Sequence, residues 1–333
     1  MFPRAAGLAL RREGLACVSI FLIGRILTLL VTLVATSLMV FLVLDVLPGD
    51  AAQVLLGAEA TPETIAALTH KLGLDRSAPE RYFAWIAAMS RGDFGLSSAY
   101  DTPVAQLIAE RLQVSLPLAL MAMVLTIGLA LGLGVTAAAR HNSMADAGIM
   151  GFAQMGMAVP NFWFAIVLIL LFAVHLHWLP AGGFPGWALG PAPALRALIL
   201  PAISLAVVQA AILARVTRSS VLEVLREDFV RTARSKGLSA SQVMWRHVLR
   251  NAMAPILTII GLQFSSLLAS AVVIENVFAL PGLGRLIFQA IANRDAVVVR
   301  DCVLLLAGVV VLVNFCIDVA NVVIDPRLKA REL

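Results

Sequence analysis

Apolar runs of membrane length, parted by polar stretches, set the pattern of this chain. Six of them approach the ~20 residues that a helix needs to cross hydrocarbon: 26–47, 114–139, 149–175, 198–216, 256–280 and 302–324. Lipid offers no hydrogen bonds to an open backbone, so each run is expected to be helical. The period-two alternation of a membrane barrel is absent. The pattern predicts an all-α integral membrane protein with six transmembrane helices. Its parts are residues 1–25, a first crossing at 26–47, an ordered segment at 48–113, a five-helix core at 114–324 with a polar loop at 217–255, and a tail at 325–333.

Lys and Arg orient these parts. With the N-terminus inside, the inner segments hold 16 of the 25 basic residues, and the longer outer segments hold nine. Both termini are therefore expected to be cytoplasmic. The 48–113 segment, with eight acids against five bases, is expected outside. There, 61–72 can form a helix capped by Thr61 with Pro62 at its first position. A second helix fits 77–89, and Gly92, Gly95 and Pro103 punctuate the remainder of the segment. This segment reads as an ordered cap over the outer mouth.

Composition excludes several classes. Charged residues are 14% of the 333, where a soluble protein carries about a quarter. The net charge of +5 has no polar domain to sit on, so nucleic acid is not an expected partner. Arg4, Arg11, Arg12 and Arg25 precede a run too long for a signal-peptide core, so cleavage is not expected. Cys17, Cys302 and Cys316 lack close or CxxC spacing and read as buried free thiols. His175 and His177, two apart, face different sides of a helix, a poor spacing for a shared metal. No Ser/His/Asp or Cys/His set stands in catalytic context, so neither a catalytic residue nor a metal site is expected.

The polar loop is the most informative stretch. Residues 230–249 read VRTARSKGLSASQVMWRHVL. Helix propensity is good from Val221 to Lys236, and Gly237 suits a left-handed helix end. Ser239 and Gln242 form a capping box that starts a second helix. Val243, Met244, His247 and Val248 share one face of it, and Gln242, Arg246 and Arg250 the other. Pro255 then marks the start of the next crossing. A basic amphipathic helix can simply lie on anionic lipid. A rigid turn between two helices instead favours a docking knob for a soluble partner. The chain has no GxxxxGK[ST] phosphate loop, so any nucleotide-driven motor must be another polypeptide.

The loop resembles that of binding-protein-dependent ABC importer permeases, whose pattern is Glu-Ala-Ala, three residues, Gly, nine residues, Ile-x-Leu-Pro. Gly237 takes the glycine position, Ala233 the second alanine and Leu249 the leucine. Arg231 and Thr232 replace the Glu and first Ala; His247 and Arg250 replace the Ile and Pro. These departures agree with VRTARxKGL and RHxLRNAxxP of the dipeptide, oligopeptide and nickel branch. LPGDAA at 47–52, KLGLDRSAPERYFAWI at 71–86, RGDFGLS at 91–97, GLQFSSLLASAVVIENVFALPGLGRL at 261–286 and IDPRLK at 324–329 also resemble that branch.

The resemblance implies a type I ABC importer permease fold in a bacterial inner membrane. It implies half of a pathway for di- or oligopeptides or a related small solute, such as nickel or a glutathione-like molecule. The expected partners are a second, different permease subunit, two ATPase subunits that bind ATP and Mg, and an extracytoplasmic solute-binding protein. No cofactor is expected on this chain. The coupling residues would be Arg231, Thr232, Ala233, Lys236, Gly237, Leu238, His247 and Leu249.

Charges within spans are costly and demand a role. Glu275 reads either as a structural partner or as part of an outer gate with Pro281, Gly282 and Gly284, the gate reading drawing on the resemblance. Asp318 reads as one half of an ion pair with a basic residue of the loop. Pro160, Asn161 and Pro201 permit kinks, and Gly128, Gly132 and Gly134 permit close helix approach. A secondary transporter would instead show inverted repeats and intramembrane ion ligands, which the sequence does not display.

Overall fold

The computed structural model describes residues 4–46, 61, 63 and 76–324; side chains are described from Ile23 to Leu44, at Thr61 and Glu63, and from Arg76 to Asn321. The described residues are almost wholly helical, with one isolated bridge between Leu96 and Pro103 and no strand. The helices are α1 (Arg4–Phe41), α2 (Ala78–Ser90), α3 (Val104–Ala139), α4 (Met144–Ala158), α5 (Asn161–Leu168, prolonged by a wide turn Ile169–His175), α6 (Pro191–Val224), α7 (Asp228–Ser235), α8 (Ala240–Val277), α9 (Leu283–Ala292) and α10 (Ala296–Ile324).

Five of these are long and apolar enough to cross a membrane, and the bent pair α4–α5, apolar enough when taken as one span, brings the number to up to six. The sequence pattern predicts one run at 149–175 with a kink at Pro160. The structure turns the chain by 104° there. Val159 is extended (φ −91°, ψ 124°), because the ring of a following proline disfavours helical backbone. Pro160 then serves as the cap from which α5 restarts.

α6 is the axis of the bundle. Its most apolar window is 72% buried, against 11–39% in the other long spans. It packs chiefly against α3 and α8, through small residues such as Ala202, Ala206, Ala210 and Ala214. Small side chains let helix backbones approach in lipid, where van der Waals contact drives packing. A Cβ on Gly134 of α3 would stand 2.6 Å from Thr217 Cβ and 2.7 Å from the Ala214 carbonyl. Gly128 and Gly132, read from the sequence as further close-approach sites, face open space.

The 76–103 stretch packs on the flank of the bundle against α1 and α10. Trp85 is buried with Phe41 and Leu304. Its Nε1 donates to Asp301 (2.8 Å), and the Arg300 guanidinium lies 4.5 Å over its ring. Buried Asp295 accepts from the Ser97 hydroxyl (2.5 Å) and the Ala99 N–H (3.2 Å). The helix read at 61–72 lies outside the described residues apart from Thr61 and Glu63.

Two further expectations are corrected. Asp318 does form an ion pair, but its partner is Arg25 of α1 (3.2 Å) rather than a base of the loop. Cys302 is buried, whereas Cys316 is exposed on α10; the side chain of Cys17 lies outside the described residues.

Candidate functional site

The loop between α6 and α8 folds into an elbow. Helix α6 ends at Val224, earlier than the propensity of 221–236 suggested. Glu227 turns extended (φ −68°, ψ 146°), and Asp228 opens α7, where a carboxylate complements the helix N-terminus. Gly237 then takes φ +80°. Its N–H donates to the Arg234 carbonyl (2.9 Å), and the Leu238 N–H donates to the Ala233 carbonyl (3.4 Å). These are the two crossed bonds of a Schellman end. Ser239 and Gln242 exchange a reciprocal pair, at 3.0 and 3.3 Å. Turn and restart are thus each fixed by hydrogen bonds local to 233–242, the turn by backbone groups and the restart by the Ser239 and Gln242 side chains.

The second arm is not a separate surface helix. It runs through wide turns at Val243–Val248 straight into the crossing helix, and Pro255 lies inside that helix rather than at its start. Val230, Ala233, Val243, Val248 and Leu249 point into a core shared with Val135, Ala138 and Val221. Among the expected coupling residues, Ala233 and Leu249 are therefore the root of the elbow; Leu238 and His247 are half-buried. Arg231, Thr232, Lys236 and Gly237 are exposed.

Two aromatics join that exposed face. Phe229 and Trp245 are 40% and 56% exposed, beside Arg234, Arg246 and Arg250. The sequence carried a signal for Trp245, which lies between the polar-face residues Gln242 and Arg246. Arg231 meets Asp228 at 3.5 Å across solvent, a contact of little energetic weight. The elbow thus offers a rigid, cationic and partly aromatic surface.

A half-buried ion pair braces the same end of the bundle. Arg218 of α6 grips Asp146 of α4 through two bonds, at 2.6 and 2.7 Å. Asp146 also accepts from the Asn142 N–H (3.1 Å), and His141 Nδ1 lies 3.3 Å away. Ser143 caps α4 by accepting from the Asp146 N–H (3.3 Å). The cap was readable, since Ser-x-x-Asp before an apolar run is a helix start. The partner 72 residues away was not.

At the opposite end, Glu275 is 1% exposed. Its carboxylate accepts from the Ser115 hydroxyl (2.5 Å) and from the N–H groups of Gly284 (2.7 Å) and Arg285 (3.2 Å). Ser115 Oγ accepts in turn from the Leu283 N–H (2.8 Å). Helix α9 starts here, and its free N–H groups suit an anion. A Cβ on Gly282 would stand 2.3 Å from the Glu275 carboxyl carbon. One on Gly284 would stand 2.4 Å from Val272 Cα. Glu275, Gly282 and Gly284 thus form a closed clamp inside the chain, with Pro281 half-buried at its edge. Beside it lies an open groove lined by His177, Trp178, Phe184 and Arg196.

Comparison with known proteins identifies the family. Residues 130–330 match the family described as binding-protein-dependent transport system inner membrane component. Residues 18–119 match its N-terminal counterpart. A putative peptide transport system permease protein of Brucella abortus (strain 2308) is 41% identical over 308 residues, covering 92% of this chain and 98% of that protein. A probable peptide ABC transporter permease protein of Sinorhizobium fredii is 37% identical, covering 93% and 99%. The glutathione transport system permease protein GsiC of Escherichia coli (strain K12) is 38% identical, covering 93% and 98%. In fold, the chain is similar to an inward-facing MetNI methionine ABC transporter structure. The TM-score is 0.56 at 17% identity, covering 66% of this chain and 97% of that one. The chain belongs to the binding-protein-dependent transport system inner membrane component family and is a multi-pass inner-membrane permease subunit of an ABC importer.

Proposed function

We propose that this permease forms half of a translocation pathway for di- or oligopeptides or a related small solute. The relatives named for peptide and glutathione transport support that solute class. The other half is a second, different permease subunit. Two ATPase subunits on the cytoplasmic side carry ATP and Mg and perform the hydrolysis. An extracytoplasmic binding protein delivers the solute. Both termini and the Gly237 elbow lie in the cytoplasm, as the distribution of Lys and Arg indicates. Residues near Pro281 lie at the outer mouth.

The observation that carries this reading is the elbow itself. A Schellman end, a left-handed glycine and a capping box lock two helical arms at one angle. The arms expose Arg231, Lys236, Phe229 and Trp245 to a partner. Work passes between subunits only through an element that holds its shape while changing position. Lipid adsorption has no use for such rigidity.

A photo-crosslinking side chain at Lys236 or Trp245, in an actively pumping assembly, tests this directly. Capture of an ATPase subunit is expected, with a yield that changes between ATP-bound and ATP-free states. Capture of phospholipid alone would overturn the docking role.

A further inference from the structure

We propose that Glu275 is a positioning residue for transport. It locks the turn at 278–285, and with it α9, to the end of α8, so that a displacement imposed at the Gly237 elbow reaches the far end of the bundle without slack. The inference rests on the reading that an ATPase drives the elbow. It adds how the push is delivered to the opposite mouth.

Continuity comes first. α8 runs from Ala240, three residues after Gly237, to Val277, two residues after Glu275, over 38 residues. Its α-helical part, Leu249–Val277, is 29 residues, about 43 Å at 1.5 Å per residue. The elbow's second arm and Glu275 belong to one helix, so a rocking of the arm moves Glu275.

The grip comes next. The Glu275 carboxylate holds the backbone N–H groups of Gly284 and Arg285, and Ser115 of α3 holds both the carboxylate and the Leu283 N–H. Three successive residues at the start of α9 are thus bound within one network. Arg111, one turn before Ser115, adds a neighbouring positive charge. Burying a carboxylate is costly unless it is paired and bonded, and apolar packing would serve stability at least as well. What a fully bonded polar network adds is a single geometry.

Fit removes the remaining freedom. No room exists for a Cβ at Gly282 or Gly284, so the turn sits on the carboxylate and on the Val272 backbone without a gap. The groove beside it is tied to the same turn. The Gly183 N–H donates to the Phe278 carbonyl (2.8 Å), and a Cβ on Gly182 would lie 2.4 Å from that oxygen. Movement of Glu275 therefore carries the groove wall as well as α9.

The test uses the whole transporter in proteoliposomes, with ATPase subunits and binding protein. Glu275→Ala is expected to retain basal ATP hydrolysis and to lower the stimulation by solute-loaded binding protein about fivefold or more, the lower end of typical site-to-site couplings. Glu275→Gln should restore most of it. Its carbonyl accepts from Gly284 and Arg285, and its amide donates to Ser115, whose hydroxyl turns back onto its own helix. Spin labels replacing exposed Leu262 of α8 and Phe288 of α9 should keep one distance through the ATP cycle, and the distribution should broaden in E275A. Wild-type stimulation and uptake in E275A, or a label distance that changes with ATP in the unsubstituted turn, would overturn the proposal. If E275A fails to assemble, Ser115→Ala carries the test: partial loss of stimulation is expected, and full stimulation overturns it. Absence of ATP-driven uptake in the unsubstituted complex would overturn the ATPase reading as well, whereas normal uptake with an unaffected E275A overturns only the clamp.

Discussion

Substitution at Gly237 separates two reasons why a glycine stands at the elbow. Its φ of +80° is left-handed, and nothing in this chain lies within 4 Å of an added Cβ. The cost of a side chain within the subunit is therefore conformational. Left-handed backbone costs an ordinary L-residue about 1–2 kcal/mol. Losing the glycine's freedom in the unfolded chain offsets about 0.4–1 kcal/mol of that. Alanine should thus strain the elbow by up to about 1.5 kcal/mol, close to a tenfold loss of the formed turn against opened alternatives. Valine is worse, because a β-branched residue at positive φ is a true outlier. Asparagine tolerates this conformation and should lose least. ATP-driven solute uptake in proteoliposomes should fall in the order Gly, Asn, Ala, Val, with equal membrane insertion throughout and Val near background. Wild-type uptake by Gly237→Val would refute the reasoning. If Asn failed as fully as Val, the glycine would be needed for clearance against the partner, and the conformational account would fall.

Other substitutions test the bracing of the bundle. Gly284→Ala drives a Cβ to 2.4 Å from the Val272 backbone, overpacking that costs about 1–3 kcal/mol; a clearly lower thermal midpoint in detergent is expected, and an unchanged one would contradict the tight fit of the clamp. Trp85→Phe keeps the ring but removes the donor to buried Asp301, a loss of about 1–3 kcal/mol. Trypsin should then cut faster at exposed Arg91 as α2 loosens. Arg218→Lys exchanges a two-bonded fork for a single point charge, so the thermal midpoint should drop and cleavage at exposed Arg140 should quicken. Arg25→Ala breaks a pair whose side chains are 36% and 35% exposed; solvent screening limits the loss to about 1 kcal/mol or less, and its midpoint should move least of the four.

How much of the structure is legible in the residues depends on how far apart the partners stand. The crossings are legible because each must supply its own apolar length and its own backbone bonds. The elbow is legible because glycine, cap and polar face fall within about twenty residues, and their bonds link groups no more than five positions apart. Helix ends are less so: α6 stops at Val224 although good helix formers continue, since Glu227 and Asp228 begin a new helix. The bend at Pro160 is expected as a kink; its 104° joins two helices that each pack on α6, a long-range contact with no local signature.

The buried carboxylates lie furthest from reach. Asp146, Asp295 and Asp301 look like ordinary polar residues near span ends, and their partners are 72, 198 and 216 positions away. Glu275 is conspicuous as a charge within a span, yet its bond to Ser115 crosses 160 positions. These contacts share a placement that local features do not. Each sits where a connecting segment meets a crossing helix, and each holds that segment by direct bonds to the carboxylate. In lipid, crossing helices gain no hydrophobic drive to stay together and rely on close packing and internal bonds. A bonded carboxylate permits one seat. The distribution of buried acids therefore marks which segments are bonded to one another: α2 with α10, the α3–α4 connection with α6, and α9 with α8.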